Sequence, residues 1–500
     1  MAEEETRSLG QRAAGAAKWS ILTQVVAKLI SPITTMVLAR LLTPDAFGVV
    51  ATATMVTSLA GMISDAGFQK YLVQHEFKDE GERSLSACVA FWTNLAISLL
   101  IVGIVALFNG PLAAAVGNPG LGIVLIVASL SLPITSLVSV QTVLYQRALD
   151  FKTLFSAQVG SSALILFVSV PLALLGFDYW SMIIGTVSSN VLLAIWLTVK
   201  SEWKPQFRYS LAELRRMFSF GVWVLLESLA TWVNTWAGTF VLGALMSSYY
   251  VGLYKTSTNV CSSIMSVFTS AVIPIAFSAL SRVQGDDERF ESILLKMQRY
   301  LAMCIIPVSF CCLVYRHALT LLLLGGQWDE TELFIGLWMF TGCINVVFGY
   351  MCSEAYRAKG CPSLCVFVQV AYLVPFLPCL YVSATLGYGY VSVVMPALRI
   401  VLAVINLTVL KMAFGVSPWR MIMNVWRVFV QSLIAVLPGI VVTALTDSLA
   451  VEVATAAFSV LIYLVLLFKC RGTREEACSL LDRLGLRKLV LAVRRALRRG

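Results

Sequence analysis

Lys28, Lys255 and Arg399 each fall inside a long apolar stretch. A charge there is costly unless it meets an anion, a carboxylate or water. In the first stretch Gln24, Lys28, Ser31 and Thr35 recur at i, i+4, i+7 and i+11, which makes one polar stripe on a helix. In the seventh, Glu227, Thr231 and Asn234 share a face. In the eighth, Lys255 and Asn259 are four apart, with Ser262 and Ser263 following, and in the twelfth Arg399 sits mid-run close to Pro396. Such groups can line a water-filled cavity that is cationic on balance and suits a phosphate or pyrophosphate cargo. Lys28 and Lys255 would hold the phosphates, with Arg399 in support, while Gln24, Asn234 and Asn259 would touch sugars. The competing reading is internal pairing, in which Glu227 neutralises Lys28 or Lys255 and the groups only join helices. Arg399 has its own alternative, a position nearer the interface from which it snorkels. Glu227 and Asp65 are the candidate proton or sodium sites.

The elements that position these residues are membrane spans. A span takes about 20 mostly apolar residues. Such stretches run at roughly 19–39, 48–64, 88–108, 121–145, 156–175, 180–199, 221–245, 251–277, 300–320, 333–352, 364–385, 389–410, 428–445 and 451–468, by that length criterion. Mean hydropathy is +0.84, with 59% hydrophobic and 13% charged residues, far too little charge to cover a soluble protein of this length. With the N-terminus in the cytoplasm, nearly all of the 37 Lys+Arg fall on the inner side. Arg40 and Arg316 fall outside, and Lys28, Lys255 and Arg399 lie within spans. This asymmetry fixes a polytopic, 14-helix, all-α protein with both ends inside.

An internal repeat organises the spans. TMVLARLLTPDAFGVVATATMV (35–56) set over TFVLGALMSSYYVGLYKTSTNV (239–260) matches Thr35, Val37, Leu38, Leu41, Gly48, Thr52, Thr54 and Val56 without a gap. Upstream, Trp19 falls on Trp223. Both segments run in the same direction, and parallel repeats of this kind place a transport site between two halves. The expected organisation is an N-terminal six-helix lobe (1–200), a C-terminal six-helix lobe (218–412), two further spans (421–468) and a basic amphipathic tail (469–500). The loop from Lys200 to Met217 is the linker between lobes. The tail, with Leu480, Leu484 and Val493 among Arg483, Arg487 and Arg494, reads as a helix lying on anionic lipid, or alternatively as a partner-binding helix.

Several function classes are excluded. There is no GxxxxGK[ST] loop for nucleotide phosphates, no HExxH and no GxSxG, and the outer loops are short and nearly free of carboxylates. A polymerase or ligase would need a large catalytic outer loop. The basic residues orient the chain rather than bind nucleic acid. The 12 cysteines show no CxxC spacing, so neither a metal nor a cofactor is expected. Residues 1–18 do not read as a signal peptide. Prolines within spans, including Pro133, Pro171, Pro307 and Pro396, are candidate hinges.

LARLLTPDAFGVVA (38–51), SDAGFQKYLVQ (64–74), FSFGVWVLLESLATWVNTWAGTFVLGALMSSYYVGLYKTST (218–258), PIAFSALSRVQGDDERF (274–290) and LLLLGGQWDET (321–331) resemble bacterial polysaccharide flippases of the multidrug/oligosaccharidyl-lipid/polysaccharide exporter superfamily. The resemblance covers the chain from about residue 10 to 470 and is weak in the last four spans. It implies two six-helix lobes around a central cavity, plus two further helices. It implies alternating-access transfer of a polyprenyl-pyrophosphate-linked oligosaccharide across the cytoplasmic membrane, with membrane lipids as neighbours and a polymerase and export machinery downstream. Related flippases for the peptidoglycan precursor carry cations on the first and eighth helices, where Lys28 and Lys255 lie here. A further cation in the second span is missing, which leaves the pyrophosphate clamp incomplete. The rival within the superfamily is an ion-coupled drug or cation exporter, which would favour carboxylates in the cavity.

Overall fold

The computed structural model describes residues 30–446, 448–470 and 472–475, apart from the side chains of 220, 223, 227, 271 and 274. In a bilayer every backbone N–H and C=O must find a partner within its own segment, so apolar stretches become helices. The first unit holds α1 (Ile30–Leu41), α2 (Pro44–Asp65), α3 (Phe68–Gln74), α4 (Glu80–Leu107), α5 (Asn109–Ala115), α6 (Gly122–Ser129), α7 (Ser131–Arg147), α8 (Phe151–Leu174), α9 (Asp178–Lys200) and α10 (Leu211–Leu245). α11 (Ser248–Ser281) crosses into the second unit. There follow α12 (Asp287–Val314), α13 (Arg316–Leu323), a 3-10 turn (Gly326–Thr331), α14 (Glu332–Ile344), a π-helical turn (Asn345–Tyr350), α15 (Met351–Ala358), α16 (Ser363–Leu386), α17 (Tyr388–Phe414), α18 (Pro418–Leu445) and α19 (Leu449–Lys469).

Among the described residues 11 helices are long and apolar enough to cross a membrane, or up to 13 when each of two bent pairs counts as one span. The bent pairs are α10, broken between Ser219 and Val224, and α11, broken between Ser270 and Ile275. Pro274, which has no N–H to donate, lies in the second break. The first expected span lies mostly outside the described residues and is seen only as α1. The chain is therefore an all-helical, polytopic membrane protein, as its composition required. α5 lies within 109–120, a stretch expected as a loop, and α13 runs from the end of the expected span 300–320 into the stretch that follows it. The basic tail beyond Glu475 lies outside the described residues.

Helices begin where the chain supplies a capping oxygen. Thr43 precedes Pro44 and accepts from the Ala46 N–H. Asp79 accepts from the Glu82 N–H at 2.7 Å, Asp150 from Thr153 at 3.1 Å and Asp286 from Arg289 at 3.1 Å. α2 stops because Ala66 and Gly67 both take positive φ, 44° and 80°.

Contacts divide the chain into two compact units, Met1–Thr256 and Ser257–Gly500. In the first, α8 pairs with α9, α7 lies against α4 and α9, and α10 runs along α2. Phe68, Leu72, Val89, Phe91, Val143 and Met217 form one of its apolar cores. The segment read as a linker is docked here: Trp92 Nε1 donates to the Gln206 carbonyl (2.8 Å), and Gln141 Nε2 to that of Trp203 (3.3 Å). In the second unit, α12 packs on α14 and α18, α14 on α17, and α18 on α19. There the buried Glu452 accepts from the Ala318 N–H (2.9 Å) and contacts His317 Nδ1 (3.2 Å), capping the start of α13 from α19.

One contact is reciprocal. A Cβ on Gly48 would lie 1.8 Å from the Ser248 carbonyl oxygen, and a Cβ on Gly252 would lie 1.8 Å from that of Pro44. Pro44 and Gly48 correspond to Ser248 and Gly252 in the repeat alignment. Residue i meets j while the counterpart of j meets the counterpart of i, the pattern a two-fold relation produces. Only glycine lets the starts of α2 and α11 approach this closely.

Candidate functional site

Lys255 projects from α11 half-buried, with Nζ 3.8 Å from the centre of the Trp236 ring on α10. A cation over an indole face is attracted by the ring quadrupole, and more strongly where water is scarce. Trp236 holds the ammonium in place. Two residues before Trp236, Asn234 donates from Nδ2 to its own helix at Ala230 (3.2 Å), and its buried Oδ1 has no hydrogen-bond partner among the described residues. An amide oxygen in that state marks a place where a donor would be welcome.

Arg399 in the second unit repeats the arrangement. Its guanidinium carbon lies 4.2 Å from the Trp338 ring centre, and Nη1 donates to the Trp338 carbonyl at 3.3 Å. Gly342, one turn further along α14, makes room for it: a Cβ there would be 2.9 Å from Nη1. Arg399 opens onto a cavity of ≈ 90 Å³ that Ser262, Ser266 and Thr269 also line. The Trp338 contacts anchor its guanidinium against α14. Behind α14 lies a second cavity of ≈ 220 Å³, walled almost wholly by apolar groups, among them Phe340, Phe348, Trp426 and Phe429. The π-helical turn at its edge is a local break of the kind found at functional positions.

The other expected residues are placed less centrally. Asn259 is exposed one turn beyond Lys255 on α11, and its carbonyl accepts from Ser263. Asp65 ends α2, and its carboxylate meets the backbone of Gly67 and Gln69 and the Gln69 side chain. That is a helix-capping role for α3, although Oδ1 stays buried without a hydrogen bond. Gln24 and Lys28 lie outside the described residues, as does the side chain of Glu227.

Sequence reasoning missed Trp236 and Trp338. A signal existed, since tryptophans away from the membrane interface near buried cations are natural partners for them. It also missed Glu213, which is buried at the start of α10 and accepts from Ser86 Oγ (2.8 Å) and Tyr71 Oη (3.2 Å), with Arg216 at 3.6 Å. Burial and the neighbouring Glu213 carboxylate push the Tyr71 phenol up to about 12. Among the described residues no group of three or more His, Cys, Asp or Glu is placed to hold a metal ion.

Apolar helices of spanning length, with half-buried cations on aromatic faces and cavities within each unit, define a polytopic membrane protein. The chain belongs to the polysaccharide biosynthesis protein family, whose model matches residues 37–332. It is 28% identical over 321 residues to the succinoglycan biosynthesis transport protein ExoT of Rhizobium meliloti (strain 1021), covering 64% of each chain, a little under two thirds of that relative. It is 21% identical over 440 residues to the lipopolysaccharide biosynthesis protein WzxC of Escherichia coli (strain K12), covering 85% of this chain and 86% of that one. In fold it is similar to the lipid II flippase MurJ in an inward closed conformation, with a TM-score of 0.73 at 14% identity over 90% of this chain and 98% of the other. The family match and the fold likeness agree with the resemblance to polysaccharide proteins drawn from the sequence.

Proposed function

We propose that this protein turns over a polyprenyl-pyrophosphate-linked oligosaccharide from the inner to the outer leaflet of the cytoplasmic membrane, for the synthesis of a surface polysaccharide. The observation that carries this reading is the pair of cations inside spans, Lys255 on Trp236 and Arg399 on Trp338, in a chain of this family. Each is an anion-binding group already oriented, so a pyrophosphate meets positive charge that need not be reorganised. The uncharged Asn234 amide offers an acceptor to a sugar hydroxyl, and the apolar cavity behind α14 suits a stretch of lipid chain. Cations rather than carboxylates at these places disfavour the cation-exporter reading.

In this reading both termini face the cytoplasm, residues 1–200 and 218–412 act as two lobes that rock about the cargo, and 421–468 form two accessory spans. Lys28 and Gln24 extend the site from the first span. An ion gradient or the membrane potential drives the cycle, with Glu227 and Asp65 as the groups to test for coupling. A polymerase and export machinery take up the product.

The test is lipid extraction from a strain lacking the gene. Accumulation of lipid-linked oligosaccharide on the inner leaflet, with surface polymer lost, is the expected result. Unchanged lipid pools and unchanged polymer would overturn the reading.

A further inference from the structure

The first unit contains a cavity of ≈ 240 Å³ that none of the residues above line. By the volume liquid water occupies, it holds on the order of eight waters, the scale of one sugar ring. Three helices furnish its polar wall, each with a pair four residues apart and hence on one face: Thr54 and Ser58 on α2, Ser131 and Thr135 on α7, Thr186 and Asn190 on α9. No charged residue lines it. Thr54 and Thr186 are exposed at its rim.

The hydroxyl hydrogens decide what such a wall can bind. Thr54 donates to Val50 (2.7 Å), Ser58 to Met55 (2.8 Å), Ser131 to Ala128 (2.6 Å), Thr135 to Leu132 (2.8 Å) and Thr186 to Met182 (2.8 Å). Each bond runs to a carbonyl one turn back in the chain, on the same helix except for Ser131, which reaches the end of α6, and this is the usual resting place for a hydroxyl in an apolar helix. With its hydrogen spent, each oxygen retains lone pairs and no donor. Trp232 Nε1 donates to Ser58 Oγ (3.0 Å), which uses one of these lone pairs and ties α10 to the cavity wall. The hydroxyl part of the wall is therefore acceptor-rich, and Asn190 adds an amide that both donates and accepts. A phosphate, which at neutral pH presents chiefly acceptors, is poorly matched by these hydroxyl oxygens and meets no cation here. A full cation finds no carboxylate to balance it. A neutral polyol, whose hydroxyls donate, is satisfied.

We propose that this cavity is a subsite for an uncharged sugar ring of the cargo, reading the glycan while Lys255 of the same unit holds the phosphate. The proposal rests on the flippase reading and adds to it the class of group bound here. It predicts that selectivity among glycans maps to Thr54, Thr135 and Thr186 rather than to Lys255.

The experiment is complementation of a gene-deletion strain, scoring surface polymer and inner-leaflet lipid-linked oligosaccharide at matched protein level in the membrane. Replacing Thr54, Thr135 and Thr186 together by Val keeps the shape and removes three acceptor oxygens. Export should fall roughly tenfold or more, the effect of losing three ordinary hydrogen bonds. The matching triple Ser variant, which keeps the oxygens, should recover most of it. Full export by the Val variant, with Lys255→Gln defective, overturns the sugar subsite and leaves the flippase reading standing. Equal failure of the Val and Ser variants means that packing, not hydrogen bonding, matters there, and overturns it too. An effect confined to sensitivity toward cationic drugs, with polymer intact, identifies a cation site instead. If the wild-type gene itself fails to restore polymer, the flippase reading falls and the subsite with it.

Discussion

Replacing Gly48 by Ala puts a methyl carbon 1.8 Å from the Ser248 carbonyl oxygen and 2.6 Å from its carbon. Real Cβ contacts essentially never fall under 3.0 Å, so the starts of α2 and α11 must part locally until the 1.8 Å contact opens to at least that distance. The obstacle is backbone, which cannot swing aside as a side chain does. Overpacking costs about 1–3 kcal/mol, and a backbone obstacle belongs at the upper end of that range. At about 1.4 kcal/mol per tenfold, the packed arrangement loses between roughly fivefold and a hundredfold in population. Gly252→Ala meets the Pro44 carbonyl in the same way, and because both press on one contact the double variant should cost less than the sum of the singles. The assay is thermal unfolding of the purified protein in detergent, with surface polymer scored in the complemented deletion strain. Gly103→Ala is the control: nothing lies within 4 Å of a Cβ there, and alanine is the better helix former. If Gly48→Ala melts and exports like Gly103→Ala, the close approach of the two helices is wrong.

Three further outcomes are expected. Lys255→Gln should lose most polymer export while the protein still reaches the membrane, and Trp236→Leu should show a milder form of the same defect; normal export by Lys255→Gln would remove that residue from the site. At Arg399, Lys should not substitute, because an ammonium cannot both sit over the Trp338 ring and reach the Trp338 carbonyl as the guanidinium fork does, and Gly342→Ala should impair export by pushing on Nη1; export by Arg399→Lys equal to wild type would contradict this two-point contact. At alkaline pH, Tyr71 should stay protonated to about 12, above the ordinary value of 10.0. A folded-state pKa raised in this way gives stability that is complete below pH 10 and is lost as the pH rises through about 12. Tyr71→Phe should therefore flatten the alkaline fall in melting temperature, and an unchanged profile would show that the phenol does not face Glu213.

The sequence alone determined that this is an all-helical membrane protein with spans near the stretches marked, because helix formation in lipid follows from local composition: twenty apolar residues have no other way to satisfy their backbone. It also located Lys255 and Arg399 as the charges needing an explanation, since the cost of an intramembrane cation is a property of the residue and its neighbours in the chain. The repeat placed Gly48 opposite Gly252 in an alignment. Only the tertiary structure made them touch, because a contact between segments about two hundred residues apart depends on how helices pack and not on their text. The same holds for what the cations rest on. Trp236 is 19 residues from Lys255 and Trp338 is 61 from Arg399, and no periodicity joins residues on different helices. The hydroxyl-lined cavity lies between these extremes. Each i, i+4 pair was legible on its own helix and unremarkable there, since a threonine bonded back to a carbonyl one turn earlier is ordinary in lipid. Three such faces turned toward one space become an acceptor-lined site only once α2, α7 and α9 are packed, because a cavity belongs to no single helix.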